Sequence, residues 1–283
     1  MILRAEAPAK INRELRVGRR RPDGFHEIRS RFCTIDFSDR IEVEEAGSLE
    51  LSRSGLPVPG DESNLAVRAA RALAGRLGIA PRARIRLEKR VPAGAGLGGG
   101  SSDAAVTLIL LSKLWGSALA PEELSEVAAS LGSDVPFFLF GGEADVEGRG
   151  ERVIPRDDAP ETELVLVIPP FSISTADVYA AYARSTGGAA RLPDRLEIET
   201  SSNFLGPNDL ASAVLETQSE MVEYLHSAGR AASEAGITGS GSALVLRGVT
   251  GEAKRELERL HPKATIMRVR TLGREDYRRR ISL

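Results

Sequence analysis

The residues from Pro92 to Asp103 form the part of the sequence best suited to chemistry. Five glycines occupy seven consecutive positions there, and two serines follow them directly. Alternating apolar and charged residues predict a half-buried strand before this loop, and the apolar run from Ala104 to Trp115 predicts a buried helix after it. Ser101, Ser102 or Asp103 could cap that helix, which would aim backbone amides and the positive end of the helix dipole into the loop. Together these features predict a phosphate-binding site.

A purely structural turn or a different type of nucleotide site fits the glycine loop less well. A tight turn from strand to helix would need only one or two glycines with positive φ. Five glycines beside two serines lose much more conformational entropy on folding, so a turn alone does not explain them. The loop lacks the Gly-Lys-Ser/Thr sequence of a Walker A loop, and the chain lacks the sequences of a protein kinase. A dinucleotide-binding fold would need an acidic residue at a spacing that this sequence does not offer before Glu122.

The loop resembles the second motif of the GHMP kinase superfamily, which carries the phosphates of ATP. The match includes Gly96-Leu97-Gly98 and the two serines at the same offset. The resemblance implies that the nucleotide contacts Pro92, Ala93, Gly94, Ala95, Gly96, Leu97, Gly98, Gly99, Gly100, Ser101 and Ser102.

The resemblance also implies an α+β fold with the two domains of a GHMP kinase. The first, residues 1–155, would be a β-rich N-terminal ATP-binding domain that contains the buried helix after the phosphate loop. The second, residues 156–283, would be an α/β-sandwich C-terminal domain. A polar, proline-marked connection from Pro155 to Pro160 places the boundary there.

Lys10 and Asn12 alternate on one face of a predicted strand, so a cation and an amide point at one small region. Such a pair suits a phosphate or a developing oxyanion, although an isolated Lys-x-Asn is more often two solvated residues. The segments around Lys10 and around Gly239 resemble the first and third superfamily motifs, so all three motifs occur in order. The resemblance assigns Lys10 to catalysis, and Asn12 and Gly239 to substrate binding.

Asp134 sets a carboxylate against the strongly apolar run that starts at Val135. A buried carboxylate needs a partner, so Asp134 is a candidate functional residue. A purely structural role, in a turn or as a helix cap, is about equally consistent with the local sequence. The segment resembles the one that carries the catalytic aspartate in this superfamily. The resemblance implies that Asp134 is the general base and that Lys10 keeps it ionised and stabilises charge on the transferred group.

The segment from Arg20 to Glu27 narrows the resemblance to the superfamily branch that phosphorylates a cytidine diphosphate-linked methylerythritol in isoprenoid synthesis. It implies substrate contacts from Phe25, His26 and Tyr179, with cytosine between the rings of Phe25 and Tyr179. Tyr182 is a rival for the second ring, and an isolated histidine is more often a hydrogen-bonded turn residue. Phe25 replaces the tyrosine that is common in this branch.

Asn64 begins a predicted amphipathic helix that continues to Leu77. The resemblance places Asn64 near adenine, while a helix N-cap is at least as consistent with its position. Further helices are predicted at 120–131, 176–183, 209–226 and 251–261, with an open stretch before residue 208. Arg13 departs from the apolar continuation of the first motif, and nothing in the sequence accounts for it.

The composition is that of a soluble globular protein, with 283 residues of which 42% are hydrophobic and 28% charged. The net charge of −2 gives no field to attract nucleic acid or an anionic membrane, and no apolar run is long enough for a transmembrane helix. The single cysteine, Cys33, fits a reducing cytoplasm and is expected to be a small buried hydrophobe. We therefore expect a cytoplasmic monomer or homodimer that binds a small molecule and uses ATP with Mg²⁺, without an assigned protein ligand for the metal.

Two alternatives accompany the favoured hypothesis, which is ATP-dependent phosphorylation of the 2-hydroxyl of the cytidine diphosphate-linked methylerythritol. The first is another GHMP kinase of the mevalonate or homoserine type, against which the Phe25-His26 segment argues. The second is a non-catalytic nucleotide-binding sensor on the same fold. A sensor would be expected to have lost Lys10 or Asp134, and both are present.

Overall fold

Two long antiparallel strands, β1 (Ile2–Arg20) and β2 (His26–Glu44), begin the fold. The sequence predicts separate strands at 2–5, 10–17, 28–37 and 41–45, and the structure corrects each pair to one continuous strand. The pairing register shifts between Pro8 and Lys10 and again between Asn12 and Glu14. Irregularities of this kind absorb a residue that cannot join the ladder, so the strand continues where local sequence indicates a break.

The computed structural model describes residues 1–187, 190–199 and 203–281. The predicted open stretch before residue 208 therefore lies partly outside the described residues. In these ranges the other strands are β3 (Glu50–Gly55), β4 (Arg84–Lys89), β5 (Glu143–Gly148), β6 (Arg152–Pro155), β7 (Glu163–Ile168), β8 (Glu234–Ile237), β9 (Leu244–Arg247) and β10 (Thr265–Leu272). The helices are α1 (Leu65–Leu77), α2 (Gly99–Leu114), α3 (Pro121–Leu131), α4 (Phe137–Phe140), α5 (Thr175–Thr186), α6 (Ala211–Thr217), α7 (Met221–Ala231), α8 (Gly251–Leu260) and α9 (Arg274–Ile281), with a short 3-10 helix at Glu197–Glu199.

A mixed sheet runs through both halves of the chain in the order β3-β4-β2-β10-β7-β9-β8. One edge of β2 pairs with β1, and the other pairs in turn with β5, β10 and β4. Because β10 also pairs with β7, the sheet continues across the domain boundary expected near Pro155. The α+β class is confirmed, whereas the division into two domains stays a prediction.

The helix after the glycine loop, α2, is buried against β1, β2, α1 and α3 as its apolar sequence predicts. Its start differs from the prediction. It begins at Gly99, and Gly98 precedes it in the left-handed conformation without a side-chain cap from the described residues. Ser102 and Asp103 lie within the helix because their side chains have distant partners, the carbonyl of Pro8 and the ammonium of Lys89.

The remaining helix predictions are mostly confirmed. α1 begins after Asn64, and α3, α5 and α8 lie where expected. The single helix predicted over 209–226 is wrong, because Gln218 takes an extended conformation and divides it into α6 and α7. Helix α9, which buries Tyr277, was not predicted. No helix in the described ranges is long and apolar enough to cross a membrane.

Candidate active site

A cleft of about 900 Å³ lies where β1, the glycine loop, α5 and the loop between β8 and β9 meet. It brings together most of the residues that the sequence singled out. Those that line it are Lys10, Asn12, Phe25, His26, Pro92, Ala93, Gly94, Ala95, Gly96, Leu97, Gly98, Gly99, Gly100, Ser101, Asp134, Tyr179 and Gly239. Asn64 and Ser102 are buried outside this lining.

A second concavity, of about 1060 Å³, lies between β4 and α9. Its rim consists largely of arginines and carboxylates that already pair with one another, such as Arg4 with Glu42 and Arg280 with Glu6. A charged ligand there would have to displace these pairs. The cleft, which contains the N terminus of α2, is therefore the better candidate for a functional site.

The glycine loop and the loop of the predicted third motif are packed against each other. Gly96 has φ of 75°, and a Cβ at this position would lie 2.2 Å from the carbonyl oxygen of Thr238. Only glycine permits such an approach. Gly239 also has positive φ, and a Cβ there would lie 3.2 Å from Oδ1 of Asn12. The two loops and β1 therefore form one wall of the cleft.

Several carbonyl groups of the glycine loop face the protein. The carbonyls of Gly94, Ala95 and Leu97 accept hydrogen bonds from backbone amides elsewhere in the chain, those of Ile173, Ala243 and Lys10. The amides in the first turn of α2 have no acceptor within the helix. This end of α2 thus presents N–H donors and the positive end of the helix dipole to the cleft, beside Ser101, and this arrangement suits a phosphate.

Lys10 and Asp134 form an ion pair within the cleft, with 3.6 Å between Nζ and Oδ2. The lysine side chain is 4% exposed and the aspartate side chain 30% exposed, so the ammonium is enclosed while the carboxylate is open to the cleft. Burial lowers the pKa of Lys10, and the charge and hydrogen bond of Asp134 oppose this effect. The cleft therefore holds a carboxylate that can accept a proton beside a cation.

Asn12 orients this pair. Its Oδ1 accepts a hydrogen bond from Lys10 Nζ at 2.6 Å, and its Nδ2 donates to Ser30 Oγ at 2.9 Å. Its backbone amide donates to Thr238 Oγ1 at 2.8 Å. Since these contacts lie within the protein, the structure gives Asn12 a role in positioning Lys10, and direct contact with a substrate stays a prediction.

Aromatic side chains line the part of the cleft near the β1–β2 turn. The rings of His26 and Tyr179 are stacked with 5.2 Å between centroids, and Nε2 of His26 is buried without a partner among the described residues. Burial lowers the pKa of His26, and the charge of Arg20 adds to this effect. Phe25 is 48% exposed, and the guanidinium of Arg149 lies 5.0 Å from its ring centroid.

The structure distinguishes the two tyrosines of α5. Tyr179 lines the cleft, whereas the hydroxyl of Tyr182 donates to the carbonyl of Val17 at 2.6 Å and its side chain is buried. Tyr182 therefore anchors α5 to β1. Asn64 is likewise used within the fold, since its Oδ1 accepts from the amide of Ala66 as an N-cap and its Nδ2 donates to the carbonyl of Pro59.

Sequence reasoning missed several residues of the cleft. Arg20, the last residue of β1, and Arg149, in the turn between β5 and β6, line it, and the sequence did not indicate that their side chains reach this cavity. Arg13, for which the sequence gave no role, lies outside the cleft lining. Its guanidinium donates to Glu143 Oε1 at 2.6 Å and lies 4.3 Å from the ring centroid of Phe204, so it joins β1 to β5 and to the chain before α6.

The comparisons with known proteins identify the family of the chain. The family model described as GHMP kinases N terminal domain matches residues 64–142. A 4-diphosphocytidyl-2-C-methyl-D-erythritol kinase from Pelotomaculum thermopropionicum is 46% identical over 184 residues, which is 64% of this chain and 64% of that one. One from Exiguobacterium sibiricum is 39% identical over 219 residues, 77% of each chain.

Solved structures show the same fold. A crystal structure of 4-(cytidine 5'-diphospho)-2C-methyl-D-erythritol kinase has a TM-score of 0.79 and 33% identity, covering 96% of this chain and 100% of that one. A homoserine kinase from Cytophaga hutchinsonii, at 17% identity, shares the fold with a TM-score of 0.70, covering 96% of this chain and 95% of that one. The fold is that of a GHMP kinase. Within this superfamily, the chain belongs to the 4-diphosphocytidyl-2-C-methyl-D-erythritol kinase family.

Proposed function

We propose that the protein transfers the γ-phosphoryl group of ATP to the 2-hydroxyl of 4-diphosphocytidyl-2-C-methyl-D-erythritol, a step in non-mevalonate isoprenoid precursor synthesis. The observation that carries the proposal is the Lys10–Asp134 pair, which shares one cleft with the N terminus of α2. The names and close similarity of the relatives support the choice of acceptor. A cleft of about 900 Å³ also falls within the range usual for small-molecule sites.

The nucleotide phosphates would bind at the N terminus of α2. Backbone amides there and the hydroxyl of Ser101 would hold their oxygens, and the helix dipole would favour their negative charge. Close packing of Gly96 against Thr238 would keep this surface rigid when the anion binds. Catalysis of phosphoryl transfer depends mainly on such positioning and on electrostatic stabilisation.

Asp134 would accept the proton of the acceptor hydroxyl. As the hydroxyl oxygen bonds to the γ-phosphorus, the bond from that phosphorus to the bridging oxygen breaks, ADP leaves, and the proton moves to the carboxylate. Lys10, whose Nζ lies 3.6 Å from that carboxylate, would stabilise negative charge on the transferred group. Asn12 would hold the ammonium in place through its Oδ1.

The cytidine end of the acceptor would bind near the β1–β2 turn. Phe25 and Tyr179 offer aromatic faces for a base, and Nε2 of His26, which has no partner among the described residues, offers it a hydrogen-bonding group. The base would stack between the rings of Phe25 and Tyr179.

Mg²⁺ bound to the triphosphate would supply neutralisation of its charge. The described residues contain no cluster of three or more His, Cys, Asp or Glu that could hold a metal. The ion would be held mainly by phosphate oxygens and water. We further propose a cytoplasmic monomer or homodimer that requires neither nucleic acid nor a membrane.

The test is release of ADP from ATP and Mg²⁺ in the presence of 4-diphosphocytidyl-2-C-methyl-D-erythritol, with mevalonate, homoserine and galactose as separate acceptors. We expect turnover with the cytidine compound alone. Asp134→Asn should lower kcat by about 10²–10⁴-fold with little change in KM, as loss of a general base does elsewhere.

Retained ATP binding and an unchanged melting temperature in Asp134→Asn would show that the variant is folded. Undiminished turnover in this variant would refute the assignment of the base. Turnover with another acceptor would refute the proposed substrate while keeping the kinase. ATP binding without turnover on any acceptor would favour a nucleotide sensor.

A further inference from the structure

A buried ion cluster lies behind the glycine loop. Lys89, the last residue of β4, is 2% exposed, and its Nζ donates to Asp39 Oδ2 at 2.5 Å and to Asp103 Oδ2 at 2.7 Å. Asp39 belongs to β2 and Asp103 to α2. The cleft lining, as far as the described residues show it, includes none of the three. Replacement of a buried ion cluster by apolar residues is often neutral or stabilising, so stability alone does not account for these three charged residues.

The Asp39 carboxylate fixes the start of the loop. Its Oδ1 accepts hydrogen bonds from the backbone amides of Arg90 and Val91, at 2.5 and 2.8 Å. These are the two residues through which the chain leaves β4 and enters the glycine loop. With Lys89 bound to Oδ2, both oxygens of Asp39 are used.

Lys89 and Asp103 fix the other end of the loop. A Cβ placed on Gly99 would lie 2.9 Å from the Nζ of Lys89, so the ammonium lies directly against the first residue of α2. Asp103, four residues further along the helix, binds the same ammonium. The cluster therefore holds the loop at residues 90–91, just before the predicted nucleotide contacts, and at residues 99–103, where these contacts end.

The charge of the cluster is unbalanced, because two carboxylates share one ammonium. Oδ1 of Asp103 is buried and has no partner within the part of the chain that is described. Burial raises the pKa of Asp103 to about 8, Lys89 opposes this effect, and Asp39 adds to it. Charged groups that face Asp103 are Lys89 from β4 and Asp39 from β2, and Lys10 of β1 lies beside Gly98 at the helix start.

We propose that Asp39, Lys89 and Asp103 are positioning residues for the phosphate loop and that Asp103 couples nucleotide binding to proton uptake. This rests on the proposed function only in that the loop binds nucleotide phosphates. With Asp103 protonated, the cluster is neutral and the helix N terminus attracts an anion. With Asp103 ionised, the cluster carries one negative charge beside the phosphates and opposes their binding.

The sign of the pH effect follows from this linkage. As pH rises through about 8, free Asp103 ionises, whereas the nucleotide complex favours the protonated form, so ATP affinity falls. If the complex requires the proton, the dissociation constant rises about tenfold from pH 7 to pH 9. At pH 8, ATP binding then takes up about half a proton at this site.

The test is calorimetric titration of the whole protein with ATP and Mg²⁺, without acceptor, at pH 7, 8 and 9. Two buffers of different ionisation enthalpy at pH 8 give the number of protons taken up. In Asp103→Asn, ATP affinity should depend less on pH than in the wild type, and ATP binding should take up fewer protons. Any contribution from titration of Lys10 or of the nucleotide should remain the same in both proteins. Asp145→Asn is the matched control, since Asp145 is also buried and ion-paired, to Arg31 and Arg156 away from the loop.

A purely structural role would lower the melting temperature of Asp103→Asn while leaving its pH dependence equal to that of the wild type, and this result would overturn the coupling. A second measurement needs no variant. The carboxyl ¹³C resonance of Asp103 in the wild type should titrate at higher pH with ATP bound than without it, and an unchanged midpoint would also overturn the proposal. Absence of ATP binding by the wild type at every pH would instead refute the proposed function.

Discussion

At the scale of single residues, Phe25 and Tyr179 should determine the affinity for the cytidine acceptor. We expect Phe25→Ala and Tyr179→Ala each to raise the KM for this acceptor by the equivalent of about 1–3 kcal/mol, because each removes an aromatic face from the cleft. The KM for ATP should be unchanged, since the loop contacts are separate. Steady-state kinetics with each substrate varied in turn provide the measurement.

Two conservative variants serve as controls for this experiment. Phe25→Tyr keeps the ring and should retain affinity for the acceptor. Tyr182→Phe removes a hydroxyl that bonds to the carbonyl of Val17 outside the cleft lining, so it should alter stability more than KM. A normal KM in both alanine variants would move the cytosine site away from these rings.

The cleft residues were predictable to the extent that their chemistry lies in contiguous motifs. The glycine loop could be identified from residue type and spacing, whereas Lys10 and Asp134 were identified only because their segments resemble superfamily motifs. Arg149 could not, because a turn sequence does not show which cavity its side chain reaches. The partner of Arg13, Glu143, is 130 positions away in the sequence, so no local pattern could indicate the contact.

At the scale of elements, local sequence predicted which segments are helical better than where they start. The apolar run of α2 is a strong signal, but its first turn was mispredicted because Ser102 and Asp103 bind residues remote in sequence instead of capping the helix. Helix α9 was missed because it spans only eight residues and its apolar face depends on Tyr277, whose contacts lie in the first half of the chain.

Helix α9 should position the segment that carries Asp134. The hydroxyl of Tyr277 donates to the carbonyl of Phe138, and a Cβ on Gly141 would lie 2.0 Å from the Tyr277 ring. These contacts lie at α4, which begins three residues after Asp134. We expect Tyr277→Phe to lower kcat several-fold with an unchanged KM for ATP, and to lower the unfolding free energy by about 1–3 kcal/mol by leaving a buried carbonyl unpaired.

Kinetics and chemical denaturation of the same preparation test this prediction. Tyr224→Phe is a suitable control, because Tyr224 packs on His261 and Phe171 in the second half of the chain. A loss of stability in Tyr277→Phe with full kcat would mean that α9 only stabilises the fold and does not position Asp134.

At the scale of the whole molecule, the two halves of the chain should unfold together. The sheet crosses the expected boundary through β10, which pairs with both β2 and β7. The C-terminal helix α9 contacts β1, where Arg280 pairs with Glu6. The cleft itself joins the halves, since Gly96 packs against Thr238. Separate unfolding of either half would expose these contacts, so a single cooperative transition is favoured.

Differential scanning calorimetry of the full chain tests this expectation. We expect one unfolding transition. ATP at 100 times its dissociation constant should stabilise the folded protein by about 2.7 kcal/mol, which is the value expected from mass action alone. For a chain of this size that corresponds to an upward shift of several degrees in the melting temperature. Two transitions, of which ATP shifted only one, would show instead that the halves divided near residue 155 are independent folding units and that nucleotide binding stabilises just one of them.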